Sequence, residues 1–237
     1  MLYLIGLGLS EHGLSLDAVR SIEKCDKVYL ENYTVDFPYD ITDLGIDESI
    51  INLARGDVES DKLINEAKQE NVALLVYGAP LFATTHITLL MDARKANVKT
   101  RIVQAASVFD AIGETGLQLY KFGKISSMPT WDKGYNPDFM EYVKQNKSIE
   151  AHTLLLVDIG LPIDKAIEQL DKCAKDKNVE LDKIVLCRKL GTKKSTIFYG
   201  TLDQLKKQKV KSPFCFVVPG ELHFMEQEAL TSFEVKE

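Results

Sequence analysis

The chain has 237 residues, 45% of them apolar and 27% charged, with a net charge of −6 at neutral pH. These are the proportions of an ordinary globular protein, long enough for one large α/β domain or two small ones, with no excess of Gly or Pro. The acidic balance argues against a protein whose main business is a phosphate backbone, and no apolar run approaches a membrane span. Direct nucleic-acid binding and a membrane location are therefore not expected.

The chain enters a strand at once, Leu2–Ile5, with no basic n-region and no A-x-A site, so a secretory leader is not expected and a cytoplasmic location is. Gly6-Leu7-Gly8 follows, then a helical pattern that Ser15 can cap, with Leu14 and Val19 spaced for a hydrophobic staple. A second strand, Lys27–Leu30, is closed by Glu31, and a third is expected at Ile50–Leu53. Leu63, Ile64 and Ala67 mark a weak helical face. Val72–Tyr77 is a continuous apolar run of the kind buried on both sides of a sheet. It runs into Gly78-Ala79-Pro80 and a helix opened by Thr84, Thr85 and His86, and Arg101–Gln104 leads in the same way to Ser107.

The best boundary lies within residues 117–125, giving units of 1–116 and 117–237. Further strands are expected at Lys124–Met128, Thr153–Asp158, Ile184–Arg188, Thr196–Tyr199 and Phe214–Val218. Ile163, Ala166, Ile167, Leu170, Cys173 and Ala174 fall on one face of a helix. The alternation predicts an α/β protein whose first half is a mostly parallel sheet. The four cysteines, Cys25, Cys173, Cys187 and Cys215, are far apart and lack C-x-x-C spacing, so they read as buried apolar residues, not as a metal site or disulfide framework. Arg188, Lys189, Lys193 and Lys194 form a local basic cluster, either a solvated loop or a docking edge for an acidic partner.

The first glycine turn invites a dinucleotide reading, and Glu31 stands where an acid would meet a ribose hydroxyl. The third glycine of the fingerprint is Glu11, however, which would set charge and bulk against a pyrophosphate, and Gly13 comes too late. What remains is a set of three turns, at Gly6–Leu9, Gly78–Pro80 and Ser107, at the carboxyl ends of three strands. That edge suits a small flexible ligand approached closely by backbone groups.

Six segments, "LYLIGLGLSE" with "ENYT", "YGAPLFATTHITL", "ASVFDAIGETGLQLYKFGK", "HTLLLVDI", "IVLCRKLG" and "VVPGELHFMEQEAL", run in order along nearly the whole chain. In them the sequence resembles the diphthine synthase family of the tetrapyrrole methylase class of S-adenosylmethionine-dependent methyltransferases. The resemblance implies two α/β lobes, the second with a mixed sheet, the cofactor S-adenosyl-L-methionine (leaving as S-adenosyl-L-homocysteine) in the cleft between them, no metal, and a homodimer. Its donor contacts would be Leu9, Ala79, Phe82, Ser107 and Val108, together with Val157, Cys187 and His223; for His223 and His86 a structural role is the open alternative. The implied acceptor is the aminocarboxypropyl-modified histidine of translation elongation factor 2, its amine methylated repeatedly to diphthine. No general base is named by the sequence. Alternatives are a methyltransferase of the same class acting on a corrin, porphyrin or ribosomal RNA, and a cofactor-binding protein without activity.

Two departures stand out. The family's second turn reads Gly-Asp-Pro, whereas this chain has Gly78-Ala79-Pro80; a lost carboxylate beside a cation is worth on the order of 1 kcal/mol when partly screened. The chain also looks shortened at "DFPYDITDLGIDES" and "DIGLPIDKAIEQL".

Overall fold

The computed structural model describes residues 1–46 and 49–236. The chain divides into two units, Met1–Val108 and Phe109–Glu237, a division earlier than 116/117.

In the first unit β1 (Leu2–Gly6), β2 (Lys27–Glu31), β3 (Ile50–Leu53), β4 (Val72–Val76) and β5 (Thr100–Val103) form one sheet in the order β3-β2-β4-β1-β5. Every neighbouring pair is parallel. The continuous apolar runs follow from burial on both faces. Leu2, Leu4, Leu74 and Val76 pack on one side against α3 (Lys62–Ala67) and α4 (Ile87–Lys95), while Tyr3, Ile5, Leu30 and Leu75 pack on the other against α1 (Leu16–Ile22). All five side chains of β4 are buried, and truncating such a leucine to alanine costs about 2–5 kcal/mol. Ser15 caps α1 as expected, its hydroxyl accepting the Ala18 N–H at 3.0 Å. A four-residue helix, α2 (Arg55–Val58), and the turn Ile41–Leu44 have no periodicity long enough to announce them. A further short helix, α5 (Val108–Ala111), begins at the division.

In the second unit β6 (Ser126–Met128), β7 (Thr153–Val157), β8 (Ile184–Arg188), β9 (Thr196–Gly200) and β10 (Phe214–Val218) form a mixed sheet in the order β6-β7-β10-β8-β9. Only β6 and β7 run parallel; the other neighbours are antiparallel. Leu155, Leu186 and Phe216 pack against α6 (Asp138–Ser148), α7 (Ile163–Lys177) and α8 (Leu202–Lys206), and α9 (Phe224–Thr231) closes the chain. The buried face of α7 contains all six predicted positions plus Gln169.

Some expected strand ends are corrected. Tyr77 lies beyond β4 because Gly78 bends the chain into the left-handed region at φ +69°. Lys124 lies outside β6 because its N–H and carbonyl are both taken by the Asn146 side chain, at 3.0 and 2.8 Å. Of the two shortened segments, the first includes Asp47 and Glu48, which fall outside the described residues, and the second leads into α7.

Candidate functional site

The three turns singled out by sequence meet at one edge of the first sheet. Gly8 and Gly78, at φ +70° and +69°, pair as an isolated antiparallel bridge. The Gly78 N–H donates to the Gly8 carbonyl at 2.9 Å and the Gly8 N–H returns to the Gly78 carbonyl at 3.3 Å. Beneath the bridge, a Cβ on Gly6 would stand 2.6 Å from the Gly78 carbonyl oxygen, 2.8 Å from the Ala105 Cβ and 2.9 Å from the Pro80 Cδ. The second and third turns both press on that one glycine of the first, so no larger residue fits there.

Above Gly78 the situation is reversed. A Cβ there would find no atom nearer than 3.8 Å, with Leu9, Ala106 and Ser107 around it. The missing side chain leaves a small space ringed by all three turns and bordered by peptide groups. Leu9 and Ser107 are buried beside it; Ala79, Phe82 and Val108 are half-buried. The Phe82 N–H donates to the Ala79 carbonyl at 3.2 Å, and the Tyr77 hydroxyl to the Leu9 carbonyl at 3.1 Å, tying the second turn to the first. Five expected donor contacts, Leu9, Ala79, Phe82, Ser107 and Val108, thus belong to the one set of converging turns. A small ligand presenting hydrogen-bonding groups to peptide N–H and C=O fits such a floor.

The dinucleotide reading fails on geometry as well as on sequence. Helix α1 begins at Leu16, so no helix N-terminus stands at Gly8 to receive a phosphate. Gly13 instead packs on the first turn, where its Cβ would lie 2.7 Å from the Leu7 carbonyl. Glu31 does not face a ligand at all. It is fully buried, accepts from the Thr34 hydroxyl, and meets His86 Nε2 at 3.0 Å. The other ring nitrogen of His86 reaches the Pro80 carbonyl at 3.1 Å, which Thr84 also reaches at 3.2 Å. His86 is therefore a buried structural partner of the second turn.

In the second unit the expected contacts are more scattered in character. Val157 ends β7 half-buried, and Cys187 is buried in β8 directly opposite Cys215 of β10. The Cys215 thiol and burial both push the Cys187 thiol well above its ordinary value, so it is a neutral core group. His223 is exposed and caps α9, its ring accepting the Met225 N–H at 3.4 Å.

Sequence reasoning gave no sign of the most elaborate polar cluster in this unit. Glu226 is fully buried, and each of its oxygens receives two donors. Oε1 accepts from the Gln118 N–H at 2.9 Å and from His152 at 3.0 Å, Oε2 from Lys121 at 2.7 Å and the His223 N–H at 2.8 Å. Burial alone would raise this carboxyl, but the four donors outweigh it and hold it at about 2. His152 accepts the Gly220 N–H at 2.9 Å on Nδ1, so its single proton sits on Nε2 facing Glu226, and burial pushes the ring below its ordinary value. The cluster pins the 219–223 loop through Gly220 and His223.

The basic cluster lies in the β8–β9 connection, where Gly191 N–H and Ser195 both donate to Glu114 at 3.1 and 3.0 Å. Burial and the neighbouring Arg188, Lys194 and Lys211 lower Lys189 from its ordinary value. Among the described residues, no helix is long and apolar enough to cross a membrane.

The family model for Tetrapyrrole (Corrin/Porphyrin) Methylases matches residues 1–206. A diphthine synthase of Methanococcus maripaludis (strain C6) is 34% identical over 249 residues, covering 97% of each chain. An Arabidopsis thaliana protein named "Probable diphthine methyl ester synthase" is 34% identical over 274 residues, covering 100% of this chain and 99% of its own. A crystal structure of a diphthine synthase superposes with a TM-score of 0.88 at 32% identity, over 99% of this chain and 96% of that one.

Proposed function

The chain belongs to the diphthine synthases of the tetrapyrrole methylase family, and on that basis we propose that it methylates the amine of an aminocarboxypropyl-modified histidine on translation elongation factor 2. Its class is that of an S-adenosylmethionine-dependent methyltransferase in diphthamide biosynthesis. The observation that carries the reading is the convergence of the Gly6–Leu9, Gly78–Pro80 and Ala105–Ser107 turns around Gly78. The proposed donor contacts are Leu9, Ala79, Phe82, Ser107 and Val108 of the first unit and Val157, Cys187 and His223 of the second. For Cys187 the contact would be through its peptide groups, since the thiol is turned to Cys215. A homodimer working in the cytoplasm completes the reading.

S-adenosylmethionine supplies a methyl group already activated by its sulfonium. What the chain contributes is alignment. Gly6, Gly8 and Gly78 let the backbone come close, and the Gly8–Gly78 bridge keeps two of the turns in fixed relation, so the displacement starts from an ordered geometry. The attacking amine must be unprotonated. The first and second transfers each leave an ammonium that must give a proton to water before the nitrogen can attack again; the third leaves no proton to lose and no lone pair, which sets a chemical end point of trimethylation.

The test is transfer of labelled methyl from S-adenosylmethionine to elongation factor 2 that carries the unmethylated precursor, read by intact-protein mass. Successive methyl increments on that factor, ending at three and resistant to mild base, are expected. A further base-labile increment would mark carboxylate esterification, the activity that the plant relative's name describes. Donor binding without transfer to this factor would defeat the acceptor assignment and leave the class standing.

A further inference from the structure

Glu31 and His86 are the two residues that sequence reading singled out and that the donor contacts leave without a task. Both are essentially fully buried, and both stand directly behind the second turn. The imidazole meets an acceptor at each nitrogen: Pro80 carbonyl oxygen at 3.1 Å from Nδ1, and Glu31 Oε2 at 3.0 Å from Nε2. A carbonyl only accepts, so a proton lies on Nδ1. Thr34 holds the other carboxylate oxygen, and Thr84 adds a second hydrogen bond to the Pro80 carbonyl at 3.2 Å.

We propose that Glu31 and His86 are a positioning pair for the donor site: Glu31 orients the imidazole, and the imidazole clamps the Pro80 carbonyl, fixing the Gly78–Pro80 turn against Gly8. Buried charges are costly unless the geometry uses them, and an apolar filler would pack this space as well without holding the carbonyl. The turn has particular need of a clamp. It carries Ala79, which makes no charge contact of its own, so its grip on a ligand comes from where its peptide groups point. Pro80 lacks an N–H, which leaves its carbonyl as the one backbone handle at that residue. The pair touches neither donor nor acceptor in this assignment; it acts through the turn. The inference rests on the donor reading given above.

Two variants separate the clamp from simple packing. His86→Gln reaches toward Glu31 as Nε2 does but offers nothing to the Pro80 carbonyl. His86→Asn with Glu31→Gln keeps a donor near the position of Nδ1 and removes the buried charge. Each protein is measured for thermal midpoint, for S-adenosylhomocysteine affinity by calorimetry, and for amide exchange of residues 78–82 without ligand. The positioning role predicts that His86→Gln loses roughly tenfold in affinity, the scale of one hydrogen bond. It also predicts faster exchange at Phe82 and a raised KM for the donor with kcat little changed. The double variant should stay within a few-fold of the parent in affinity even where its midpoint falls further. Equal affinity in His86→Gln and the parent would overturn the proposal. So would affinity losses that follow midpoint across both variants, or unchanged exchange at 78–82. If the parent itself binds no S-adenosylhomocysteine, the donor reading fails and the positioning role falls with it; the exchange data then report only whether the clamp exists.

Discussion

Each unit buries one glutamate against one histidine, with the same 3.0 Å contact from Nε2 to the carboxylate. At the second ring nitrogen, however, the two histidines face opposite kinds of partner. On His152 that nitrogen accepts the Gly220 N–H, so the ring is neutral and the carboxylate draws its compensating charge from Lys121. On His86 it faces the Pro80 carbonyl, so it must donate. The carboxylates differ to match. Glu226 is saturated by four donors, whereas Glu31 has the Thr34 hydroxyl on one oxygen and, on the other, the His86 ring at 3.0 Å with no hydrogen bond aligned on it. A saturated cluster makes a rigid knot; a sparser one placed behind the Gly78–Pro80 turn leaves a ring nitrogen free to hold the turn's carbonyl.

The largest test breaks the saturated pair. Glu226→Leu would leave the buried His152 N–H and two backbone N–H groups without their acceptor and the half-buried Lys121 ammonium with only the Glu221 carbonyl, and a loss of about 3 kcal/mol is expected on breaking such a cluster. Chemical denaturation of the full chain measures it. A loss below about 1 kcal/mol would mean that water replaces the missing carboxylate and that the knot is not buried in solution.

Acid sharpens the contrast next. Glu226, held at about 2, takes up its proton in the unfolded chain at a higher pH than in the folded one. Its stabilisation is therefore complete above the ordinary carboxylate range and drains away as pH falls towards 2, on the order of 3 kcal/mol in all. His152 acts in the same direction. Its ring is pushed below the ordinary histidine value, so the unfolded chain binds that proton first and stability falls as pH drops through the histidine range. Midpoints recorded from neutral to acid pH should fall in two stages, and Glu226→Gln should flatten the lower one. A profile unchanged by that substitution would remove Glu226 as its source.

The smallest effect belongs to the first pair's neighbour. Ala79→Asp would restore a carboxylate to the turn that His86 clamps. S-adenosylmethionine affinity should rise by up to about 1 kcal/mol, or stay level if solvent screens the new charge. Titration calorimetry reads the change. A large loss would show that the turn has been rebuilt around alanine.

How far all this was legible in the sequence depends on distance along the chain. The ten strands were visible because burial on one or both faces writes itself into local apolar runs, and the α7 face because a helix repeats every few residues. Two of the converging turns were visible as glycines at strand ends, and the third as Ser107 following a strand. Neither Glu–His pair was. Glu226 and His152 stand 74 positions apart, and nothing near His152 in "EAHTLLLVD" distinguishes a hydrogen-bonded histidine from a strand-edge one. Glu31 was misleading for the same reason: its place at the end of β2 suits a ribose contact, and only the tertiary partner, His86, shows which way its carboxylate faces. Lys124 was taken for strand because Asn146, which occupies its backbone, lies a helix away.

The bridge between Gly8 and Gly78 bears on how such a protein can drift. Both residues sit in a region of conformational space that other L-amino acids enter only with strain, so the two positions offer selection almost nothing to vary. A floor made of main chain keeps its shape while the residues around it change, so under the proposed donor reading the alanine at position 79 bears on how strongly the floor holds a ligand and not on which one. Substitutions at the rim then act as a dial on strength, and the choice of guest stays written in the backbone.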